Sequence, residues 1–311
     1  MSRVLCDAEF PVELGRAALG SGLVLEPAAP PWSGDDVVGL LSWEPVTAAD
    51  LGRLPALRIV ATPSVGFDHV DVETATTRGV WVCNVPDYCV DEMADHALAL
   101  LLALVRGVVE LDRSVRAGGW DHTAAGTLTR LADVRLGVIG FGRIGRALAG
   151  RALALGMDVW ACDPIVENST VAAAGARPAS LDELLRSCTA VSIHAPLTPA
   201  TRQLLGPREL ALLPDNAIVV NVSRAGLVNT ASLLDGLESG RLGGVALDVL
   251  DVEPPTADSP APAAARLIVN PHAGWYSPEA EEAAYRRAAE AVRDVLEGRV
   301  PAGAVNRPAS A

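Results

Sequence analysis

The sequence contains no lysine: its 25 cationic residues are all arginine, and 38 acidic residues bring the net charge to −13. A chain without lysine cannot form a lysine Schiff base, so ordinary pyridoxal-phosphate chemistry is excluded. It also cannot supply the lysine of a P-loop. Because the chain is acidic and has no basic tract, we expect it to bind neither nucleic acid nor an anionic membrane surface.

Cysteines are few, and long apolar runs are missing. The five cysteines form no C-x-x-C pair, which is typical of buried thiols in a reducing compartment, and we expect no metal site. The longest apolar run, residues 97–105, is shorter than the roughly 20 residues of a membrane span. The first residues lack the apolar segment of a signal peptide. We therefore predict a cytoplasmic protein with no membrane partner.

Short apolar runs alternate with helical stretches along the whole chain. Several of these runs are apolar throughout, as are parallel strands that helices cover on both faces. Strands separated by helices indicate βαβ units. The expected strands lie near residues 4–6, 23–25, 37–41, 58–61, 81–83, 136–139, 158–162, 190–194, 217–222, 244–247 and 267–269. These patterns predict an α/β fold with parallel sheets.

Two long helices are predicted from their first turns. One begins with acidic residues at Asp91 and runs to about Val115. The other runs from Pro278 to Leu296, with Ser277 as its N-cap and proline in its first position.

A glycine-rich motif lies between one predicted strand and a helix. Gly140, Gly142 and Gly145 have the G-x-G-x-x-G spacing. In this motif the first glycine makes a tight turn, the second lets the backbone approach a pyrophosphate, and the third lets the helix pack against the strand. Arg143 and Ile144 open the helix, whose free N–H groups attract phosphates. The motif predicts a dinucleotide site.

Asp163 follows the next predicted strand, 23 positions after the first glycine. An acid at this distance binds the adenosine ribose hydroxyls and repels a 2′-phosphate. No arginine follows it in Pro164–Ile165, so NAD is favoured over NADP as the cofactor. The alternative is an ordinary βα turn in which Asp163 only caps the strand.

Three polar residues follow other predicted strands: Arg224, Glu253 and His272. The carboxyl ends of strands in a doubly wound sheet face the ligand crevice. A hydride transfer to a keto acid needs a cation for the carboxylate, a proton donor for the oxygen, and a group that orients the donor. These three residues can serve those roles. The alternatives are a solvated arginine, a turn glutamate and a structural histidine.

Further short blocks occur in order along the chain. They are VGFD (65–68), CNVP (83–86), GFGRIG (140–145), PLTPAT (196–201), NVSRAG (221–226), ALDV (246–249), EP (253–254) and PH (271–272). With these blocks the sequence resembles the D-isomer-specific 2-hydroxyacid dehydrogenase family over nearly its whole length. Residues 83–88 and 272–277 are most similar to its C-terminal-binding-protein and phosphoglycerate-dehydrogenase-like branch.

The resemblance implies a role for each residue of the site. Arg224 is expected to bind the substrate carboxylate, His272 to act as acid and base, and Glu253 to pair with His272. The implied cofactor contacts are Gly140, Gly142, Arg143, Ile144, Gly145, Asp163, Ala195, Pro196, Thr201, Val222, Ser223, Arg224, Asp248 and His272. The implied substrate contacts are Val65, Gly66, Arg224, His272 and Trp275.

The resemblance also implies the domain organisation. A Rossmann cofactor domain, residues 89–282, is expected to be inserted in a flavodoxin-like substrate domain formed by residues 1–88 plus 283–311. The expected function is NAD-dependent hydride transfer between a small D-2-hydroxy acid and its 2-keto acid, in a homodimer. The alternative is an NAD(H)-sensing dimeric scaffold similar to C-terminal-binding proteins.

Two positions depart from related sequences. Thr62 stands where eukaryotic C-terminal-binding proteins often have arginine, so a second cation for the substrate is missing. Met93 stands where many relatives have a small polar residue near the nicotinamide phosphate. His69, His96 and His122 belong to no group of candidate catalytic residues and are interpreted as structural or surface residues, whereas His194 can border the cofactor.

Overall fold

The chain divides into two units, the first formed by Met1–Tyr88 with Tyr276–Ala311 and the second by Cys89–Trp275. A computed structural model describes residues 2–259 and 261–308. The chain returns to the first unit after residue 275, not after residue 282 as predicted. The reason is that the helix Pro278–Leu296 is continuous and buries one face in the core of the first unit, so the boundary precedes it.

The described ranges contain parallel strands connected by helices. The strands are β1 (Arg3–Asp7), β2 (Val24–Ala28), β3 (Val37–Leu41), β4 (Ile59–Ala61), β5 (Trp81–Cys83), β6 (Arg135–Ile139), β7 (Asp158–Cys162), β8 (Arg177–Pro178), β9 (Ala190–Ile193), β10 (Ala217–Asn221), β11 (Leu242–Leu247) and β12 (Leu267–Val269). The helices are α1 (Val12–Leu19), α2 (Ala48–Gly52), α3 (Val72–Thr77), α4 (Val90–Arg106), α5 (Val108–Arg116), α6 (Arg143–Ala154), α7 (Asn168–Ala173), α8 (Leu181–Ser187), α9 (Pro207–Leu212), α10 (Thr230–Glu238) and α11 (Pro278–Leu296).

The first unit is built on a parallel sheet with the order β2-β1-β3-β4-β5. Successive strand residues face opposite sides, so Val4 and Cys6 join one core while Leu5 joins the other. Helices α1 and α11 cover the first face, and α2 and α3 cover the second. This order is that of flavodoxin-like folds.

The second unit is built on a seven-stranded parallel sheet with the order β12-β11-β10-β9-β6-β7-β8. Helices α4 and α6 pack on one face, and α8, α9 and α10 pack on the other. The strand order reverses between β6 and β9, which makes a crevice at their carboxyl ends. The predicted α/β class with Rossmann topology is confirmed.

The predicted bounds of helix α11 are confirmed. The Oγ of Ser277 caps the helix by accepting from the backbone N–H of Ala280 at 3.0 Å. The predicted helix from Asp91 to Val115 is interrupted instead. Gly107 adopts a left-handed φ of 60° and separates α4 from α5. None of the described helices has the length and apolarity that a bilayer crossing requires.

Candidate active site

The glycine turn connects β6 to α6 at the reversal of strand order. Gly140 has a φ of +93°, and a Cβ there would lie 2.6 Å from the carbonyl carbon of His194. A Cβ at Gly145 would collide with the carbonyl oxygen of Gly140. A Cβ at Gly142 would meet no described atom within 4 Å. The turn therefore needs glycine at its two packed positions, and its backbone is open to a ligand at the middle one.

Helix α6 has no side-chain cap at its N-terminus, so its first N–H groups remain available to a phosphate. Asp163 lies beside this turn and accepts from the N–H of Phe141 at 2.7 Å. Its other oxygen accepts from Ile165 and Val166 at 2.8 and 3.1 Å. The carboxylate is half-buried, and the oxygen that accepts from Phe141 keeps one lone pair for a further donor. These residues fit a dinucleotide with free ribose hydroxyls.

The loop after β9 borders the same turn. In this loop, the backbone nitrogen of Ala195 would lie 2.7 Å from a Cβ at Gly140. Within the loop, the hydroxyl of Thr201 donates to the carbonyl of Pro196 at 2.6 Å and accepts from the N–H of Thr198 at 2.8 Å. Burial lowers the pKa of His194 to about 4, so its ring is neutral near pH 7. The loop is thus ordered by its own side chains beside the glycine turn.

The segment after β10 holds the backbone around Arg224. Asn221 is buried, and its side chain donates to the carbonyl of Arg224 at 2.8 Å and accepts from the N–H of Ser223 at 3.1 Å. The Ser223 hydroxyl donates to the carbonyl of Ile193 at 2.7 Å. Val222 is buried, and Arg224 is half-buried. Asn221 is a supporting residue that sequence reasoning missed, although it begins the NVSRAG block.

His272 and Glu253 come together in the loops after β12 and β11. Nδ1 of His272 donates to Oε2 of Glu253 at 2.7 Å. The backbone of His272 has a left-handed φ of 54°, an unusual conformation for a non-glycine residue. Because Nδ1 is engaged by the carboxylate, Nε2 is the nitrogen that can exchange a proton with a ligand. The pair is half-exposed, as a site open to small molecules requires.

Glu253 is held in its ionised form. Burial by itself raises the pKa of Glu253. This effect is outweighed by the hydrogen bonds that the carboxylate accepts from His272 and from the backbone N–H of Leu250, and by the nearby charge of Arg224. The pKa of Glu253 is therefore below its ordinary value. The pair is therefore present at neutral pH and is lost only as pH falls through this lowered pKa. Arg224 lies close enough to Glu253 to contribute to this effect.

Asp248 follows β11 and is fully buried. Its two oxygens accept from the N–H groups of Ala273 and Gly274, each at 2.9 Å. Nε2 of His96, on α4, lies 3.3 Å from one of these oxygens. The sequence predicted a cofactor contact for Asp248, which stays a prediction. The structure shows that Asp248 anchors the turn after His272.

The predicted substrate turn belongs to the first unit. It follows β4, and the hydroxyl of Ser64 donates to the carbonyl of Gly66 at 2.5 Å. The side chain of Asn84 donates to the carbonyl of Val65 at 2.6 Å. Trp275 is half-buried at the end of the second unit. The structure thus shows a braced turn at Ser64–Gly66, and substrate contact by Val65, Gly66 and Trp275 stays a prediction.

Comparison with known proteins gives consistent matches. Residues 98–274 match the family model described as D-isomer specific 2-hydroxyacid dehydrogenase, NAD binding domain. A D-3-phosphoglycerate dehydrogenase of Mycobacterium leprae is 41% identical over 261 residues, which cover 84% of this chain and 49% of that protein. A glyoxylate reductase of Thermococcus litoralis is 35% identical over 263 residues, which cover 83% of this chain and 79% of that protein.

The chain spans about half the length of the D-3-phosphoglycerate dehydrogenases that it matches. Among solved structures, D-lactate dehydrogenase from Aquifex aeolicus, complexed with NAD and lactic acid, is similar with a TM-score of 0.89. The match covers 99% of this chain and 100% of that chain at 24% identity, and it shows the shared fold.

Proposed function

Since the chain belongs to the D-isomer-specific 2-hydroxyacid dehydrogenase family, we propose that it is an NAD-dependent oxidoreductase that interconverts a small D-2-hydroxy acid and its 2-keto acid. The observation that carries this proposal is the 2.7 Å bond between His272 and Glu253, in the same unit as the glycine turn. A histidine held by a carboxylate is the arrangement that proton transfer to a carbonyl oxygen needs.

We propose that the reaction uses three side chains of this chain. When bound, NADH supplies the hydride that the keto carbon receives. Arg224 binds the substrate carboxylate with its planar guanidinium. His272 gives the proton on Nε2 to the keto oxygen, and Glu253 keeps the ring in the tautomer and orientation that this transfer needs. In the opposite direction His272 accepts the proton from the hydroxyl group.

The direct test is to incubate the protein with NADH and a panel of 2-keto acids and to follow the loss of NADH absorbance. We expect turnover with at least one small 2-keto acid, and D-specific oxidation of the matching hydroxy acid with NAD. Absence of turnover in both directions across the panel would contradict the proposed function.

The first unit indicates the charge of the substrate tail, which is the part of the substrate beyond its keto and carboxylate groups. The loops after β1, β3 and β4 are residues 8–11, 42–47 and 62–71, and arginine occupies none of these positions. Glu9 and the exposed Glu44 make the loops acidic. Arg3 begins a strand, and Arg58 and Arg78 precede strands. These arginines therefore lie at the amino ends of the strands, opposite the carboxyl ends from which the loops extend.

A phosphate or second carboxylate is normally bound by cations. We therefore infer a substrate with a single anionic group, as in glyoxylate or pyruvate, rather than a phosphorylated acid. In the panel, kcat/KM for a 2-keto acid with a phosphate tail should be roughly tenfold or more below that for glyoxylate or pyruvate. A preference for the phosphorylated acid would contradict this inference and leave the dehydrogenase activity in place.

The Asp163→Asn variant tests the cofactor preference. The amide oxygen can still accept from the N–H of Phe141, so this bond to the glycine turn is kept while the negative charge is lost. The amide NH2 cannot accept from Ile165 and Val166, so those two bonds are lost. We expect the ratio of kcat/KM for NADH over NADPH to fall by about tenfold. Asp158→Asn, at the other end of β7, is the matched control. An unchanged ratio would show that Asp163 does not face the ribose.

The Glu253→Gln variant tests the coupling of the pair. The lowered pKa of Glu253 means that its carboxylate accepts from Nδ1 of His272 throughout neutral pH. In the wild type, kcat for keto-acid reduction should therefore fall as the pH falls through that pKa, because the pair is lost when Glu253 is protonated. Glutamine has no carboxylate to protonate, so the variant should have a lower kcat near neutral pH and should not show this fall on the acid side. Asp251→Asn changes an exposed acid of the same loop and should keep the wild-type profile. An identical profile for Glu253→Gln would exclude the proposed coupling.

We also propose a homodimer formed through the second unit. None of the residues of α5 is buried, yet Val108 and Val115 are apolar, and Trp120 is 90% exposed just beyond the helix. A second copy of this surface would cover these apolar groups.

Five free cysteines, four of them buried, fit a reducing compartment such as the cytoplasm.

Sedimentation of the Val115→Ser, Trp120→Ser double variant tests the dimer. We expect a dimeric protein to shift to monomer, because the interface loses two of its exposed apolar side chains. Ile165→Ser removes another exposed apolar side chain of the same unit, away from α5, and should remain dimeric. A double variant that stays dimeric would place the interface elsewhere.

A further inference from the structure

The buried carboxylate of Asp248 lies within 3.3 Å of three nitrogen atoms, all within the second unit. Two are the backbone N–H groups of Ala273 and Gly274. The third is Nε2 of His96, at 3.3 Å from Oδ1 and outside the angles of a good hydrogen bond. This nitrogen is buried and hydrogen-bonds to no other group in the described residues. A buried carboxylate needs such partners, since an uncompensated one is strongly destabilising.

Gly274 completes this packing. A Cβ at Gly274 would lie 2.8 Å from Oδ2 of Asp248, 3.0 Å from Cδ2 of His96 and 3.3 Å from Sδ of Met93. The backbone of the turn is thus pressed directly against the acid and the imidazole. Movement of either side chain changes the space in which residues 273 and 274 sit.

This turn carries His272 in its left-handed conformation. Such a conformation is unfavourable for a residue other than glycine and persists only where surrounding contacts hold it. The contacts that hold it here are the bond from His272 to Glu253 on one side and the bonds from Ala273 and Gly274 to Asp248 on the other. The orientation of the His272 ring therefore depends on where the Asp248 carboxylate stands.

We propose that His96 is a positioning residue that acts through Asp248. By placing a polar nitrogen against the buried carboxylate, it holds Asp248 against the 273–274 backbone and so keeps His272 aligned with Glu253. The proposal rests on the proposed function of His272 for its effect on catalysis, and on the geometry alone for its effect on the turn.

The test compares His96→Ala with His96→Gln, whose amide nitrogen can reach the position of Nε2. We expect kcat for keto-acid reduction to fall about tenfold to a hundredfold in His96→Ala, with the KM for NADH nearly unchanged, and His96→Gln to recover most of the loss. His122→Ala, which removes an exposed histidine of the same unit, is the matched control. A parallel rise in KM and fall in stability, without rescue by glutamine, would indicate only a packing role and overturn the proposal.

A second measurement does not depend on activity. Amide hydrogen exchange at Ala273 and Gly274 should become at least about tenfold faster in His96→Ala, while α6 and β6 keep their protection. Unchanged exchange at both amides would overturn the proposal. If the wild-type protein reduces no keto acid, the proposed function fails, whereas faster exchange in His96→Ala would still support the positioning role.

Finally, the double variant His96→Ala, Glu253→Gln tests the route of the effect. If His96 acts by keeping His272 aligned with Glu253, its loss should reduce kcat much less when the carboxylate is already absent. If the two substitutions instead lowered kcat by factors that simply multiply, His96 would not act through the His272–Glu253 pair.

Discussion

The His272→Asn variant should lower kcat for keto-acid reduction by about 10²–10⁴-fold, because the general acid for the keto oxygen is lost. Asparagine is the appropriate replacement, since it tolerates the left-handed φ of 54° better than most residues. The measurement is steady-state reduction of the preferred 2-keto acid by NADH. Binding of NADH, measured by titration, should change little because the glycine turn and Asp163 are intact.

The control for this variant is His122→Asn, which changes an exposed histidine of the same unit and should retain full activity. If His272→Asn kept near wild-type turnover, the proposed acid would be wrong. If the wild-type protein itself turned over only weakly while binding NADH and assembling normally, an NAD(H)-sensing scaffold would become the better interpretation.

The Arg224→Gln variant should lower kcat/KM by about 10²–10³-fold, because a charge-assisted pair between guanidinium and carboxylate is lost. The kcat/KM of Arg224→Lys should lie between those of the wild type and Arg224→Gln, since lysine keeps the positive charge but cannot make the bidentate contact of a guanidinium. The backbone at this position should be preserved, because Asn221 holds the carbonyl of residue 224 rather than its side chain.

A substrate analogue distinguishes this role from a structural one. A 2-keto amide has no carboxylate, so Arg224→Gln should reduce its kcat/KM far less than that of the 2-keto acid. Equal losses on both substrates would show that Arg224 supports the fold of the loop, for example through its influence on Glu253, and does not bind the carboxylate.

Features that depend on neighbours in sequence were predictable. Helix α11 begins and ends where its serine cap, its first proline and its apolar spacing indicate. The glycine turn was recognisable because each glycine serves a local steric need at a fixed spacing. Strand β8 was missed because it has only two residues, one of them proline, and lacks an apolar run. The break at Gly107 was missed because the helical pattern continues on both sides of it.

Contacts between distant residues were harder to predict. The sequence identified His272 and Glu253 as candidates, but their 2.7 Å bond and the left-handed backbone of His272 are visible only in three dimensions. His96 gave no signal at all, since nothing near it in the chain indicates Asp248. The return to the first unit was misplaced because no sequence pattern shows which sheet α11 covers.

The α/β class, the dinucleotide turn and the identity of the acidic and basic candidates followed from amino-acid order, because periodicity, caps and glycine spacing act over a few residues. The alignment of the His272 ring, the anchoring role of Asp248 and the contact with His96 arose from chain folding. They depend on hydrogen bonds and packing among loops and a helix that are far apart in the chain, and only a folded backbone brings such groups within 3.5 Å.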